Sequence, residues 1–165
     1  MPKRTKITFS NKKKARLITL LISSSCVAII LIPLLLISYI PQSGIVDIIL
    51  TEFYWRYASV FVGLYFIWTG IYSYQIKIDA YVIDVRSSRV ILGIFKQPDY
   101  IDISHEMLSE FAFFNRSFSC NKTLMLKVKT DSGKKLAKRF NVTFMSKKEE
   151  KKITKVLEKI IAKNS

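Results

Sequence analysis

Two transmembrane helices followed by a small α+β domain is the fold class this sequence predicts, and three observations predict it. Residues 17–46 and 57–76 carry no charged side chain, and each run is long enough to cross a bilayer. From residue 75 the apolar positions alternate with period two, as in half-buried strands. Residues 146–161 then close the chain with an apolar stripe at helical spacing. The mean hydropathy of +0.21 therefore averages two unlike halves. About 90 residues follow the second apolar run, enough for one small domain and no second.

Residues 1–16 hold seven Lys/Arg and no acid and read as a basic cytoplasmic tail. The first span covers residues 17–40, about 36 Å as a helix, slightly more than a hydrocarbon core of roughly 30 Å. Tilt or a kink at Pro33 absorbs the excess. The run exceeds the h-region of a secretory signal, and no A-x-A-like cleavage site follows it. Pro41, Gln42, Ser43 and Gly44 supply turn chemistry, and residues 45–50 form an interfacial extension interrupted by Asp47. The second span is expected over residues 54–74. Phe53, Tyr54, Trp55 and Tyr57 form an aromatic belt at one end, and Trp68, Tyr72 and Tyr74 one at the other. Arg56 lies four residues after Glu52 and pairs with it at headgroup level on a continuous helix. Ser24 with Ala28, and Ser59 with Gly63, are small-xxx-small pairs that suit packing of the spans as a hairpin or, alternatively, dimerisation; the internal hairpin is the reading favoured.

Orientation follows the cations. Seven precede the first span, Arg56 alone lies in the connection, and Lys77, Arg86 and Arg89 follow the second. The positive-inside rule puts both termini in the cytoplasm of a multi-pass plasma (bacterial inner) membrane protein. Under that topology the sequons at Asn115, Asn121 and Asn141 are chance matches.

Residues 75–165 make the cytoplasmic domain. Ile76, Ile78, Ala80 and Val82 alternate with Lys77, Asp79 and Tyr81; Ile83 and Val85 then change parity, which signals a bulge or a strand break. Arg86, Ser87 and Ser88 read as a turn before a strand over residues 89–95, and a further strand resumes over 100–103. More strands are expected over 110–115 and 123–130. Leu124, Leu126 and Val128 face one way and Met125, Lys127 and Lys129 the other; Asp131, Ser132 and Gly133 then turn the chain into a strand over 135–142. Phe140 and Val142 join the core, although Lys138 shares their side. Ser146 and Glu149 form a capping box, after which Ile153, Val156, Leu157, Ile160 and Ile161 line one face of a helix.

About six short antiparallel strands and a closing amphipathic helix, behind two spans, resemble the bacterial pleckstrin-homology-like (PH-like) family of small membrane proteins. The resemblance covers residues 74–163 and rests on strand order, on the stretch SSRVILGIFKQPDYIDIS and on the final helix; FSCNKT stands where the family has a glycine-rich approach to the central strand. It implies a bent antiparallel sheet, or partly open barrel, plugged by the C-terminal helix, and a role in binding or assembly rather than chemistry.

The residues themselves point away from catalysis. His105 is the sole histidine, which excludes catalytic triads and multi-histidine metal sites within one chain; it reads as a turn residue beside Ser104 and Glu106. Asp79, Asp84, Asp99 and Asp102 alternate with apolar positions as the wet face of strands. No phosphate-cradling glycine loop exists among five glycines, and Cys26 and Cys120 form no CxxC or disulfide framework. No catalytic, cofactor or metal residue is assigned, and the protein is expected not to be an enzyme. The candidate binding surface is Lys148, Lys152, Lys155 and Lys159 along the final helix, with Lys134, Lys135, Lys138 and Arg139 on the preceding hairpin. It suits anionic lipid or an acidic protein partner, the alternative being a helix face that is simply solvated. Expected partners are thus the membrane, anionic lipid, and a protein partner or second copy, and not nucleic acid. The function expected is a scaffold displaying its domain to the cytoplasm. The alternatives are an accessory or regulatory subunit of a larger transport or secretion complex, and a membrane-located immunity-type protein.

Overall fold

The computed structural model describes residues 6–39, 44, 54–90, 97–117, 119–130 and 133–164, apart from the side chains at 37 and 54–56. The turn at 41–43, the extension at 45–50, the Glu52–Arg56 pair and the strand over 91–95 therefore lie outside the described residues. The chain divides into two units, residues 17–70 and residues 1–16 with 71–165.

The helical unit contains most of α1 (Lys12–Tyr39) and all of α2 (Tyr54–Thr69). Among the described residues, α1 is the one helix long and apolar enough to cross a membrane. Pro33 lies inside it, where the ring removes one backbone donor. Leu17, Leu20, Leu21, Ile32 and Leu35 are all more than half exposed, a surface suited to hydrocarbon rather than to water. The described part of α2 has 16 residues, about 24 Å. It ends five residues earlier than the predicted span, because Gly70 adopts φ +71°, a left-handed conformation that favours glycine and terminates helices. The Gly70 N–H bonds to the Phe66 carbonyl at 3.0 Å. Of the predicted inner aromatic belt only Trp68 remains helical; Tyr72 and Tyr74 belong to the next strand.

The two helices meet through small groups. Cys26 Sγ lies 3.8 Å from the Ser59 carbonyl, Ser59 is buried, and a Cβ built on Gly63 would sit 3.9 Å from the same sulfur. Ser59 and Gly63 thus fulfil their expected role. On α1 the contact runs through Cys26, flanked by Ile22 and Ile29 along an apolar cavity of about 350 Å³. Ser24 is exposed and bonds the Leu21 carbonyl at 3.1 Å, so the pair expected with Ala28 does not make this contact.

The second unit holds two antiparallel sheets and a helix. The first sheet has the order β1 (Ile7–Ser10), β2 (Tyr72–Ile78), β3 (Val82–Arg89), β4 (Asp99–Ser104). The segment read as a basic tail therefore supplies an edge strand, with Ile7 opposite Ile78 and Phe9 opposite Ile76. Four residues with two apolar positions, of which only Phe9 packs against the core, are too short for periodicity to reveal. Asn11 extends this pairing with its side chain. Its Oδ1 accepts the Tyr74 N–H at 2.7 Å, while Nδ2 donates to the carbonyls of Tyr72 at 3.1 Å and Thr143 at 2.6 Å.

The parity change after Val82 is a strand break. Ile78 and Ile83 face each other across a turn closed by Asp79 N–H to the Val82 carbonyl at 2.9 Å. The turn expected at Arg86, Ser87 and Ser88 is instead continuous strand, and Ser87 is buried, donating to the Asn141 carbonyl at 2.5 Å. Polar residues on this strand satisfy cross-strand and inter-sheet partners; that role cannot be distinguished from turn chemistry in the sequence.

A short 3-10 turn at His105–Met107 leads into the second sheet, β5 (Leu108–Asn115), β6 (Asn121–Lys129), β7 (Lys135–Thr143). Gly133, at φ +75°, serves the β6–β7 hairpin. Phe144, at φ +57°, redirects the chain into α3 (Lys147–Asn164). The capping box is formed: the Ser146 N–H donates to Glu149 Oε2 at 2.9 Å and the Glu149 N–H to Ser146 Oγ at 3.2 Å. Tyr74, Ile76, Ile83 and Val85 from one sheet, Leu124, Leu126 and Phe140 from the other, and Ile153 and Leu157 from α3 share a single core.

Candidate functional site

On α3 the residues Lys148, Lys152, Lys155 and Lys159 are exposed, spaced four, three and four apart. Ile153, Leu157 and Ile160 are buried on the opposite side. Helical periodicity alone produces this separation. The helix is fixed at both ends: Lys122 of β6 pairs with Glu150, and Asn164 Nδ2 donates to the carbonyls of His105 at 2.6 Å and Leu108 at 3.1 Å.

The hairpin cations form a separate group. Helix α3 packs on β5, whereas Lys135, Lys138 and Arg139 lie on β7, the other outer strand of the same sheet. Lys134, Lys135 and Arg139 are exposed. Lys138 is half-buried; its Nζ donates to the Tyr100 carbonyl of β4 and lies 5.9 Å from the centre of the Phe140 ring. It thereby bridges the two sheets, which accounts for a lysine on the apolar side of its strand. The eight expected residues are thus two groups, one of which spends a member on internal closure.

Two polar concavities escaped the sequence reading. One, of about 480 Å³, is bordered by Asn115, Lys122, Glu150, Lys151, Lys155 and Glu158; the Lys122–Glu150 pair already neutralises part of it. The other, of about 180 Å³, has Lys12, Ser73, Gln75, Arg86 and Ser88 around it. Its strand residues come together only because Gln75 pairs with Arg86 and Ser73 with Ser88. That register is invisible while residues 86–88 are taken for a turn. Beside it, Asp84 accepts from Arg86 Nε at 3.1 Å and lies 3.7 Å from Lys77. The Asp84 carboxylate raises the pKa of the Arg86 guanidinium, which also stacks 4.8 Å from the centre of the Tyr100 ring.

No family model, curated protein or solved structure matches this chain.

The residues weighed for chemistry are dispersed. His105 forms part of the turn into β5, and burial pushes its imidazole below the ordinary range; Nε2 has no hydrogen-bond partner among the described residues. Tyr74 is 1% exposed, and burial, with the Glu149 carboxylate nearby, pushes its phenol upward. Its hydroxyl has no partner among the described residues either. Cys26 and Cys120 are free thiols. Among the described residues no three His, Cys, Asp or Glu side chains gather as a metal site.

Proposed function

We propose that this chain is a non-enzymatic integral membrane protein whose two-helix hairpin holds a PH-like domain against the cytoplasmic face of the plasma membrane. There the exposed cations of α3 contact anionic lipid or an acidic protein partner. The observation that carries the reading is the pairing of β1 with β2. One strand precedes α1 and the other follows α2, yet they are neighbours in one sheet. An odd number of crossings between them would leave the two strands on opposite sides of the bilayer. Since α1 is long and apolar enough to cross, a return crossing is needed, and the segment containing α2 is available for it. The excess of cations outside the hairpin supports the cytoplasmic side.

Cys120 provides the test, because it is an exposed thiol in the domain. In a Cys26→Ser background, a membrane-impermeant maleimide should leave Cys120 unlabelled in intact spheroplasts and label it after permeabilisation. Labelling from outside would overturn the orientation, and recovery of the intact chain in the aqueous fraction would overturn the membrane assignment. Mild-detergent purification tests the functional half: a lone protomer or homo-oligomer agrees with the scaffold, whereas a stoichiometric large integral partner would make the chain an accessory subunit.

A further inference from the structure

The concavity formed by Lys12, Ser73, Gln75, Arg86 and Ser88 has the composition of an anion site. Two cations border it, with two hydroxyls and an amide between them. Ser73 Oγ and Ser88 Oγ lie 2.8 Å apart, so one hydroxyl can donate to the other while the second turns its own proton towards a guest. Arg86 is held by Asp84 through Nε, and its guanidinium carries further N–H donors beyond that one. Asp84 lies between Arg86 and Lys77; one carboxylate among three cations, Lys12 included, leaves net positive charge. The cavity of about 180 Å³ is an order of magnitude larger than the roughly 10–15 Å³ one water requires.

Chain geometry sets the depth of this site. Lys12 is the first residue of α1 and lies five residues before Leu17, a rise of about 7 Å along a helix. A headgroup layer is about 5–8 Å deep on each side of the hydrocarbon core. Ser73 follows the last residue of α2 by four positions, within about 14 Å even if fully extended. Both borders of the concavity are thus tied by short reach to the segments that meet lipid. The α3 groove is bordered by four lysines and two carboxylates and differs in being partly closed by its own ion pair.

We infer that the pocket of Lys12, Arg86, Ser73, Ser88 and Gln75 holds the phosphodiester of one anionic phospholipid from the leaflet in which α1 begins. This rests on the membrane reading above and adds a discrete lipid site apart from the α3 cations.

The test uses the full chain in nanodiscs of phosphatidylcholine, alone or with one fifth phosphatidylglycerol, followed by native mass spectrometry of retained lipid. One phosphatidylglycerol should be retained preferentially per chain. The Lys12→Gln, Arg86→Gln variant should bind it about 25-fold more weakly, at about fivefold per cation removed. Lys129→Gln with Lys163→Gln, the same change of charge elsewhere, should leave binding unaltered. Lys12→Arg with Arg86→Lys should retain binding, which separates lost contact from lost folding. Equal weakening in both Gln pairs, or no preference for the anionic lipid, would overturn the site while leaving the membrane reading intact. Failure of the chain to enter nanodiscs would overturn that reading instead. Tight binding of inorganic phosphate by detergent-solubilised protein would overturn the assignment to a lipid.

Discussion

Replacing Asn11 by alanine should damage the domain more than any exposed substitution. Asn11 is 3% exposed, and its three side-chain hydrogen bonds go to backbone groups of Tyr72, Tyr74 and Thr143. Truncation leaves one buried N–H and two carbonyls without these partners. An unsatisfied buried group costs about 1–3 kcal/mol, and carbonyls fall at the lower end because each has a second lone pair. The expected loss is therefore roughly 3–5 kcal/mol, a large share of a typical domain's 5–15 kcal/mol. In a unit of about 100 residues that corresponds to a melting shift on the order of 15 °C. The assay is thermal unfolding of the full chain in mild detergent, followed by limited proteolysis of the domain. Asn11→Asp provides the sharper comparison. It retains the acceptor for the Tyr74 N–H but sets a carboxylate against two carbonyls, so it should be no more stable than the alanine variant. A melting shift below about 3 °C for alanine, or wild-type stability for aspartate, would refute the reasoning.

Tyr74→Phe removes a buried hydroxyl without a partner among the described residues and should raise stability by about 1 kcal/mol; a loss by the same melting assay would show that the hydroxyl is satisfied in solution. His105 has its folded pKa below the unfolded value of about 6.5, so the unfolded chain takes up the proton first. Stability should be fully present above about pH 6.5 and decline as pH falls towards the folded value. His105→Gln should flatten this part of a stability–pH profile, and an unchanged slope would count against it. Within the hairpin, Gly63→Ala places a methyl at ordinary contact distance from Cys26 and should be tolerated. Ser59→Leu, at a buried position, should separate the helices, read as loss of a crosslink between cysteines engineered along α1 and α2.

What the sequence disclosed depended on how many residues carried each signal. The final helix was legible because an eighteen-residue element offers five apolar positions and a capping box, all pointing to one periodicity. The β6–β7 hairpin was legible because Leu124, Leu126 and Val128 alternate without interruption. The end of α2 was missed although Gly70 marks it, because Ile71, Tyr72 and Tyr74 are as apolar as the span; a strand buried in a core and a helix buried in lipid draw on the same residues. For β1, the seven cations around it outweighed Ile7 and Phe9. The basic row on α3 could be read from spacing alone, whereas the Lys12 and Arg86 concavity could not, since these residues are 74 positions apart and meet only through the register of β1 on β2 and of β2 on β3.

The place of β1 in the chain has a consequence for biogenesis. It leaves the ribosome about 60 residues before β2, the strand it must join, a delay of roughly 3–12 s at 5–20 residues per second. Throughout that interval Ile7 and Phe9 have no sheet to enter, and under the proposed hairpin both crossings come before the domain can finish. Under the proposed membrane reading, insertion therefore precedes completion of the domain, and a chain halted before β2 emerges keeps β1 without its sheet partner.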